Sequence, residues 1–334
     1  REVPRFNAIS VSGTHIREYG ANAIQSVALP ISIARVYIDE LLKRGFAIDE
    51  IAPLLSFHIP VGCRDFHFFE DIAKLRAGRR FWARLLKEKY RAKDPRSLQF
   101  RVSTGGMGGG LTADQPLNNI TRSTVYALAA ILAGTRSMNL ACFDEVYAIP
   151  SDLAIRTTLR TQQILAYEMG VADVVDPLGG SYYIESLTNE MESKIKEILE
   201  GLEKRGGIVE QIESGQIQRE LAYQNYLMQK KVDSGEKVLV GVNRFRVEEE
   251  ERDLEIYKMD PAVRERQIAG LRKIKKIRDS DRVVKELEKL KRAASSNENI
   301  IPYLFEPLQA QATLGEIVST LKEIYGEYKE PRTV

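Results

Sequence analysis

One stretch near the start of the chain, AISVSGTH at residues 8–15, sets the pattern from which the fold is predicted. Residues 8–12 have strand character, and a Ser-Gly turn separates them from a long segment of helical periodicity, residues 16–44. Gly45 follows that segment as a C-terminal cap. The stretch therefore predicts a strand followed by a helix, with the turn residues at the carboxyl end of the strand.

The same strand-then-helix unit recurs along the first half of the chain. Strand-like runs occupy residues 54–58, 98–103 and 137–143, and each precedes a segment of helical periodicity. Strands that alternate with helices predict a parallel sheet with right-handed crossovers. Four such units are half of an eight-stranded barrel, so we predict an α/β fold with half of a TIM (β/α)8 barrel. Which half it is follows only from the family resemblance given below, which implies the second half. A small open sheet is the alternative that periodicity leaves open.

The pattern changes after about residue 170. A turn-rich junction at residues 176–183 leads into charged helical segments at 185–205, 208–234 and 261–294 and a last helix at 314–325. We therefore predict two parts. Residues 1–170 form the barrel half, and residues 171–334 form a mostly helical C-terminal region that packs on it.

Composition excludes several classes of function. The charges of the 49 basic and 47 acidic residues nearly cancel. This balance argues against general electrostatic binding to nucleic acid or acidic membranes. The two cysteines, Cys63 and Cys142, lack a CxxC or CxxH partner, so neither a disulfide scaffold nor a zinc site is predicted. No apolar run reaches the roughly 20 residues that span a bilayer, and no signal peptide opens the chain. We expect a cytoplasmic protein that binds neither nucleic acid nor membranes.

Candidate functional residues follow the predicted strands, because the active site of a (β/α) barrel lies at the carboxyl ends of its strands. His15 follows the Ser-Gly turn, where a histidine can donate a hydrogen bond to a substrate carbonyl or exchange a proton. The alternative is a structural histidine that bonds a local backbone carbonyl. The remaining candidates at these ends are Thr14, Ser56, His58, residues 103–110, Asp144 and Glu145.

The glycine-rich segment at residues 105–110 has two interpretations. Backbone without side chains can approach a phosphate or a broad flat ligand closely, but the segment is neither a Walker loop nor a GxGxxG fingerprint. The other interpretation is a mobile turn.

Two further histidine interpretations are weak. His67 lies among phenylalanines and is interpreted as a packing residue. His15, His58 and Glu145 each lie near a different strand end, but their spacing is not diagnostic of a two-histidine, one-carboxylate site. We predict no metal site.

Several motifs resemble those of the methylmalonyl-CoA mutase family. Residues 6–18, FNAISVSGTHIRE, resemble the family's NSISISGYHxxEAG, residues 52–57, APLLSF, resemble its APRLSFF, and residues 72–80, IAKLRAGRR, followed by Trp82, are very close to its helix. Further matches follow in the family's order nearly to the end of the chain: LT at 111–112, NN at 118–119, FDE at 143–145, DPLGGSY at 176–182, DSG at 233–235, VGVN at 240–243 and TLGEI at 313–317.

The resemblance implies an adenosylcobalamin-dependent acyl-CoA mutase subunit, an isomerase that rearranges the carbon skeleton of a CoA thioester by radical chemistry. The match begins partway through the family's catalytic region. An amino-terminal barrel-half chain is therefore an expected partner if the gene is split. The cobalamin-binding motif DxHxxG is matched only by DFHFFE at residues 65–70, which lacks the glycine and falls on a predicted helix. Cobalamin is thus expected mainly from a small cobalamin-binding subunit, and the barrel half is expected to bind the acyl-CoA.

The resemblance also carries roles to individual residues. His15 matches the family histidine that hydrogen-bonds the thioester carbonyl, a bond that would stabilise charge on oxygen. Arg5 and Ser56 match positions that contact coenzyme A. Glu145 matches a carboxylate that holds the adenosyl ribose. Gly105 is the second candidate for a cofactor contact.

The chain departs from the family pattern near the site. Thr14, a candidate substrate contact, replaces a tyrosine next to the histidine, and Ser103-Thr104-Gly105 replaces a His-x-Gln. Leu54 replaces an arginine, Ala141 replaces an asparagine, and three residues are inserted between Ser56 and Ala73. These changes favour a divergent acyl-CoA mutase with a bulkier acyl substrate. The alternative is a catalytically silent barrel-half paralogue with an assembly or regulatory role.

Overall fold

The computed structural model of the chain describes residues 6–7, 9–105, 108–247 and 256–331. Candidate Arg5 lies outside the described residues. The chain divides into two compact units, Arg1–Tyr257 with Pro331–Val334, and Lys258–Glu330. The boundary between these two units does not coincide with the predicted boundary at residue 170. The division at residue 170 into a barrel half and a helical region stays a prediction.

The first unit is built on a parallel sheet of four strands in the order β1-β2-β3-β4. The strands are β1 Ile9–Ser12, β2 Leu55–His58, β3 Val102–Gly105 and β4 Ser137–Asn139. Every neighbouring pair is parallel, and Ser12 pairs with His58, which pairs with Ser103. The predicted α/β class and the parallel sheet are confirmed.

Helices connect and follow the strands. In the first unit they are α1 Thr14–Glu18, α2 Gln25–Lys43, α3 Ile48–Ile51, α4 Phe68–Glu88, α5 Asn118–Leu132, α6 Asp152–Tyr167, α7 Tyr182–Lys204, α8 Gly207–Glu213 and α9 Gln216–Asp233. In the second unit they are α10 Pro261–Ile277, α11 Ser280–Ala294, α12 Pro302–Gln309 and α13 Leu314–Tyr325.

Two predicted strands are wrong in their bounds for local reasons. The run at 98–103 begins late, because Pro95–Leu98 forms a 3-10 turn that the Asp94 side chain caps by accepting from the Arg96 N–H. The run at 137–143 ends at Asn139, because the next residues turn: the Glu145 carboxylate accepts from the Cys142 N–H at 2.8 Å.

Three predicted long helices are each divided. Residues 261–294 contain α10 and α11, and the Asp279 side chain caps α11 by accepting from the Arg282 N–H. Residues 16–44 contain α1 and α2, since Gly20 adopts a φ of +121° and the Asn22 side chain accepts from the N–H groups at the start of α2. Residues 208–234 contain α8 and α9, with Gly215 between them at a φ of +71°. Helix α12, which begins at Pro302, was missed because it is short and carries a second proline, Pro307.

The main core lies between one face of the sheet and helices α2, α4 and α5. Val11, Leu55, Phe57 and Val102 supply that face and are buried. Trp82 of α4 meets the ring of Phe57 edge-on with centroids 4.9 Å apart. Aromatic pairs of this geometry add about 1 kcal/mol beyond the area they bury. Helix α7 packs against α4 through Met191, Ile195 and Leu199, which belong to the same core.

The second unit has a small core of its own from α11, α12 and α13, including Val283, Leu290 and Ile317. Glu316 closes a capping box with Thr313 and accepts two hydrogen bonds from Arg278. The Arg278 hydrogen bonds lower the pKa of Glu316 to about 2. Within the described ranges, none of the helices combines the length and hydropathy that a bilayer crossing requires.

Candidate functional site

The face of the sheet opposite the core carries only small or polar residues, and we call it the polar strand face. Successive side chains of a strand point to opposite faces, so residues two apart share one. Its residues are Ser10, Ser12, Ser56, His58, Ser103, Gly105, Ser137 and Asn139. The interior of a (β/α) barrel is ordinarily filled by bulky branched side chains. Serine and glycine are small, so this face of the sheet carries hydrogen-bonding groups in place of bulky apolar side chains.

At the carboxyl ends of the strands, the polar strand face holds a histidine–serine pair. His58 Nδ1 lies 3.0 Å from Ser103 Oγ, and the Ser103 hydroxyl donates to the Phe57 carbonyl oxygen at 3.4 Å. Burial, with the nearby charge of His15, lowers the pKa of His58. The imidazole of His58 is therefore neutral at neutral pH.

Gly105 is required beside this pair. A Cβ at Gly105 would lie 3.0 Å from His58 Nε2 and 3.2 Å from Asn139 Oδ1, which is closer than nearly all real Cβ contacts. Absence of a side chain at this position leaves space for the His58 ring and the Asn139 side chain at the end of β3. The role of Gly105 as a cofactor contact stays a prediction.

Helix α1 places His15 at the same end of the sheet. The Gly13 N–H donates to the His58 carbonyl oxygen at 2.8 Å, and the Thr14 N–H donates to Ser12 Oγ at 3.2 Å. These bonds make the chain turn into α1 directly after β1. The His15 side chain is exposed on the first turn of that helix, and its charge influences His58. The structure thus brings together His15 and His58, and the latter was only a weak candidate from the sequence.

Thr14 has an unpartnered hydroxyl. Its Oγ1 is buried and has no hydrogen-bond partner among the described residues. A buried polar group without a partner costs about 1–3 kcal/mol, so an atom of this kind next to His15 fits a ligand contact. The placement of Thr14 at the substrate stays a prediction.

A buried ion pair holds α1 in place. Arg17 Nη2 lies 2.8 Å from Asp65 Oδ1, with 1% and 27% of the two side chains exposed, and Arg17 also donates to the Ala21 carbonyl oxygen. Asp65 lies within the segment that contains the three-residue insertion. Burial raises the pKa of Cys63 to about 12, so its thiol stays protonated and donates to Asp65 at 2.8 Å. The inserted segment is therefore tied to the helix that presents His15.

Ser56 and Glu145 lie away from the two histidines. Ser56 occupies the polar strand face two residues before His58, and its hydroxyl accepts from the Asn7 side chain at 2.9 Å. Glu145 is exposed after β4, where one carboxylate oxygen closes a turn with the Cys142 N–H. The neighbouring Asp144 is structural, because it is buried and accepts from the N–H and hydroxyl of Ser151 at the start of α6.

The structure corrects two other predictions, both in the segment that leads into α4. His67 is the exposed N-cap residue of α4, so its interpretation as a packing residue is wrong, and residues 65–67 precede the helix rather than lie on it. Gly108–Gly110 form a 3-10 turn, and nothing lies within 4 Å of a Cβ at Gly108. Among the described residues, no group of three or more His, Cys, Asp and Glu side chains could hold a metal ion.

The sequence analysis missed the polar strand face and the Arg17–Asp65 pair. A signal for the first exists: serines recur at alternate positions in the strand runs, at 10 and 12, at 56, at 103 and at 137. No local pattern signals the second, because its partners lie on separate segments that meet only in the fold.

The fold and the site define an α/β protein whose parallel sheet carries a polar face, with His58 and His15 at its carboxyl end. The family described as methylmalonyl-CoA mutase matches residues 1–327, and the chain belongs to that family. The resemblance seen in the motifs is confirmed.

Individual relatives agree with this membership. The chain is 42% identical over 331 residues to the 2-hydroxyisobutanoyl-CoA mutase large subunit of Aquincola tertiaricarbonis, covering 99% of this chain and 58% of that protein. It is 37% identical over 330 residues to methylmalonyl-CoA mutase of Escherichia coli (strain K12), covering 98% of this chain and 46% of that protein. The probable mitochondrial methylmalonyl-CoA mutase of Caenorhabditis elegans is 36% identical over 329 residues, with 98% and 44% covered. The chain spans about half the length of the curated relatives it matches.

The Arg17–Asp65 pair should be costly to break. Arg17→Gln removes one partner and leaves Asp65 with a partly buried, unpaired charge, so we expect the free energy of unfolding to fall by about 3 kcal/mol. Urea denaturation of the chain measures this change. The matched control is Arg64→Gln, since the exposed Arg64 makes only a surface hydrogen bond to Gln229. Equal effects of the two substitutions would contradict a special role for the buried pair.

Proposed function

We propose that this chain is the carboxy-terminal half of the catalytic region of an adenosylcobalamin-dependent acyl-CoA mutase, which rearranges the carbon skeleton of a CoA thioester. The observation that carries the proposal is the polar strand face with His15 and His58 at its carboxyl end. Coenzyme A is long, narrow and rich in amide and hydroxyl groups. Serine hydroxyls along the sheet offer it hydrogen bonds in a space that bulky side chains would otherwise fill.

Each candidate residue has a role in this proposal. His15 donates a hydrogen bond to the thioester carbonyl and stabilises the charge that develops on its oxygen. Ser56, lower on the polar strand face, contacts the coenzyme A chain, and Arg5 binds one of its phosphates. Thr14 lies next to His15 and contacts the acyl group through its unpartnered hydroxyl.

The residues at the carboxyl ends of the strands fit a broad flat cofactor. A Cβ at Gly105 would crowd His58 and Asn139, and nothing lies within 4 Å of a Cβ at Gly108. These glycines would lie against the corrin, and the exposed Glu145, with one carboxylate oxygen committed to its turn, would hold the ribose with the other. When bound, adenosylcobalamin supplies the radical chemistry, while this chain binds and orients the thioester and excludes water from it. A small cobalamin-binding subunit carries the cofactor in our proposal.

The four strands are proposed to be half of a closed barrel. Within the described chain, β1 and β4 each pair with one neighbour only, so each leaves an edge of unpaired backbone groups. Helix α6 follows β4 and exposes apolar side chains, including Ile155 and Leu159. An amino-terminal barrel-half chain would pair with both edges and cover these side chains. With Cys63 and Cys142 both free and buried, the proposed setting is the cytoplasm.

The silent-paralogue alternative rests on the loss of the His-x-Gln, which is Ser103-Thr104-Gly105 here. The His58–Ser103 pair weighs against it, since a histidine is kept at this end of the sheet on another strand. A turnover assay with coenzyme A thioesters, together with the visible spectrum of the reconstituted complex, separates the two. A complex that binds cobalamin and turns over no acyl-CoA would support the silent paralogue.

We expect the chain to associate through its open edges and α6. Sedimentation velocity should show self-association, or a one-to-one complex when an amino-terminal barrel half is added, with increased thermal stability. Ile155→Lys/Leu159→Lys should weaken this association, because 43% and 54% of these side chains are exposed on α6. The matched control is Ile268→Lys/Leu271→Lys on α10, with 37% and 44% exposed. A concentration-independent monomer that gains no stability from the partner would refute the barrel-half proposal.

His15→Ala should slow turnover of the reconstituted complex by about 100-fold while coenzyme A binding stays nearly unchanged, because the lost hydrogen bond acts at the reacting carbonyl. Turnover is measured as kcat at saturating acyl-CoA, and binding by calorimetry. His15→Gln keeps a donor and should recover part of the loss. The control is His67→Ala, which removes an exposed histidine outside the site. Normal turnover by the His15→Ala complex would remove His15 from the reaction.

Thr14 replaces a tyrosine of the family pattern, so the tyrosine ring is absent beside His15. We therefore predict a pocket that accepts an acyl group larger than methylmalonyl. Thr14→Tyr should shift the preference in kcat/KM towards short acyl groups, by a factor that reflects roughly 1–3 kcal/mol for each methylene excluded. A series of acyl-CoA substrates of rising size measures this preference. Thr14→Val keeps the volume without the hydroxyl and should leave the size preference unchanged. Best activity on methylmalonyl-CoA, unaffected by Thr14→Tyr, would refute the size proposal.

A further inference from the structure

Five arginines line one cavity at the end of the sheet away from His15. The cavity has a volume of about 670 Å³ and lies where the chain enters β3 and β4, at the amino ends of these strands. Among the described residues, Asp176 is the one acidic side chain in its lining. The arginines belong to α4 or come just before the two strands, and they are Arg76, Arg79, Arg80, Arg101 and Arg136.

Two of these arginines are neutralised by carboxylates. Arg76 pairs with Asp176 and Glu185. Arg80 pairs with Glu192. These ion pairs join α4 to α7 and to the turn that precedes it, so the charges of Arg76 and Arg80 have a structural explanation.

The remaining three arginines have no carboxylate partner among the described residues. Arg79 donates to two backbone carbonyl oxygens at the end of α5, and Arg101 donates to the carbonyl oxygen of Pro53. A neutral carbonyl oxygen satisfies an N–H group but leaves the positive charge of the guanidinium without a counter-charge. Arg136 is exposed, and its side chain makes neither a hydrogen bond nor an ion pair within the described ranges.

The surroundings of Arg79 disfavour its charge. Burial lowers the pKa of Arg79, and the charge of Asp176 raises it while that of Arg76 lowers it. The guanidinium nevertheless stays protonated, because arginine does not lose its proton in proteins. An anion in the cavity would stabilise a charge that burial disfavours.

The cavity lies on the side of the sheet that faces α4. Arg136 precedes Met138 by two residues, and Met138 packs against the main core, so both belong to the core side of β4. Phe100, which is buried in the same core, also lines the cavity. The coenzyme A path proposed above follows Ser56 on the polar strand face. The cavity is therefore separate from that path.

We propose that this cavity binds a phosphate group, held by the guanidinium groups of Arg79, Arg101 and Arg136. The planar guanidinium donates two parallel hydrogen bonds to phosphate oxygens, and the paired Arg76 and Arg80 complete a positive rim. The volume falls within the roughly 300–1,000 Å³ of small-molecule sites, which leaves room for an organic group attached to the phosphate. This site goes beyond the acyl-CoA mutase function and does not depend on it.

Inorganic phosphate is the first probe. Calorimetry on the full chain, at an ionic strength held constant with chloride, should show saturable binding. Arg136→Gln should raise the Kd about tenfold, the scale of one hydrogen bond to a charged group. Arg136→Lys should recover part of this affinity, because lysine restores the charge without the planar fork. The matched control is Arg64→Gln, which removes an exposed arginine outside the cavity and should leave the Kd unchanged.

Arg101→Gln is an independent second variant. It should weaken phosphate binding to a similar extent, and Arg101→Gln/Arg136→Gln should abolish it, with circular dichroism showing that each variant keeps its helices. A wild-type chain that shows no saturable phosphate binding would overturn the proposal. An equal loss of affinity in Arg64→Gln would overturn it as well.

Coenzyme A and dephospho-coenzyme A distinguish two sources of the phosphate group. We expect Arg136→Gln to leave the Kd of both unchanged while it weakens inorganic phosphate, since the cavity faces α4 and the proposed coenzyme A path does not. This result would support a site for free phosphate or another phosphate-bearing metabolite. Weakened binding of coenzyme A alone would also support the phosphate site and would assign it to the ribose phosphate of the substrate. Because none of these measurements needs turnover, an inactive reconstituted complex would overturn the mutase proposal and leave this one standing.

Discussion

The alternation of side chains across four short strands is the constraint on which the rest of this structure depends. Every second residue faces helices α2, α4 and α5, and these residues are apolar except for the buried Thr104, with Phe57 against Trp82 at the centre. The intervening residues are serines, a glycine, a histidine and an asparagine. Because the period is two, a slip of one residue in register would exchange the faces and bury the serines. Core packing on one face thereby fixes the position of every polar group on the other.

The carboxyl end of the sheet depends on short-range hydrogen bonds that begin where the strands stop. Gly13 bonds the end of β2, which starts α1 immediately and places His15 beside His58. Arg17, on the same helix, is held by Asp65 of the segment that follows β2. The two histidines are therefore positioned by one connected set of contacts. A change in the loop after β2 would alter the position of His15 through the Arg17–Asp65 pair and the position of His58 through the strand.

Family membership and local structure bear on function in different ways. Membership follows from a match along residues 1–327 and indicates the chemistry that relatives perform. Three of the differences from the family motifs, Thr14, Ser103 and Gly105, lie at or just after the carboxyl ends of β1 and β3, whereas Leu54 precedes β2 and Ala141 follows β4. In (β/α) folds the functional residues lie at one end of the sheet, so the scaffold is retained while those residues vary.

The sequence by itself determined the α/β class, the order of strands and helices, the family, and the placement of His15 and Thr14 just after a strand, because these follow from local periodicity and motifs. It misplaced the bounds of β3 and β4, since the side chains of Asp94 and Glu145 close turns that periodicity does not register. The tertiary structure alone decided that His58 lies beside His15, that Ser103 holds its ring, and that Arg17 pairs with Asp65. The partners in each of these contacts lie on different segments of the chain, and only the parallel register and the packing of α1 bring them within reach of one another.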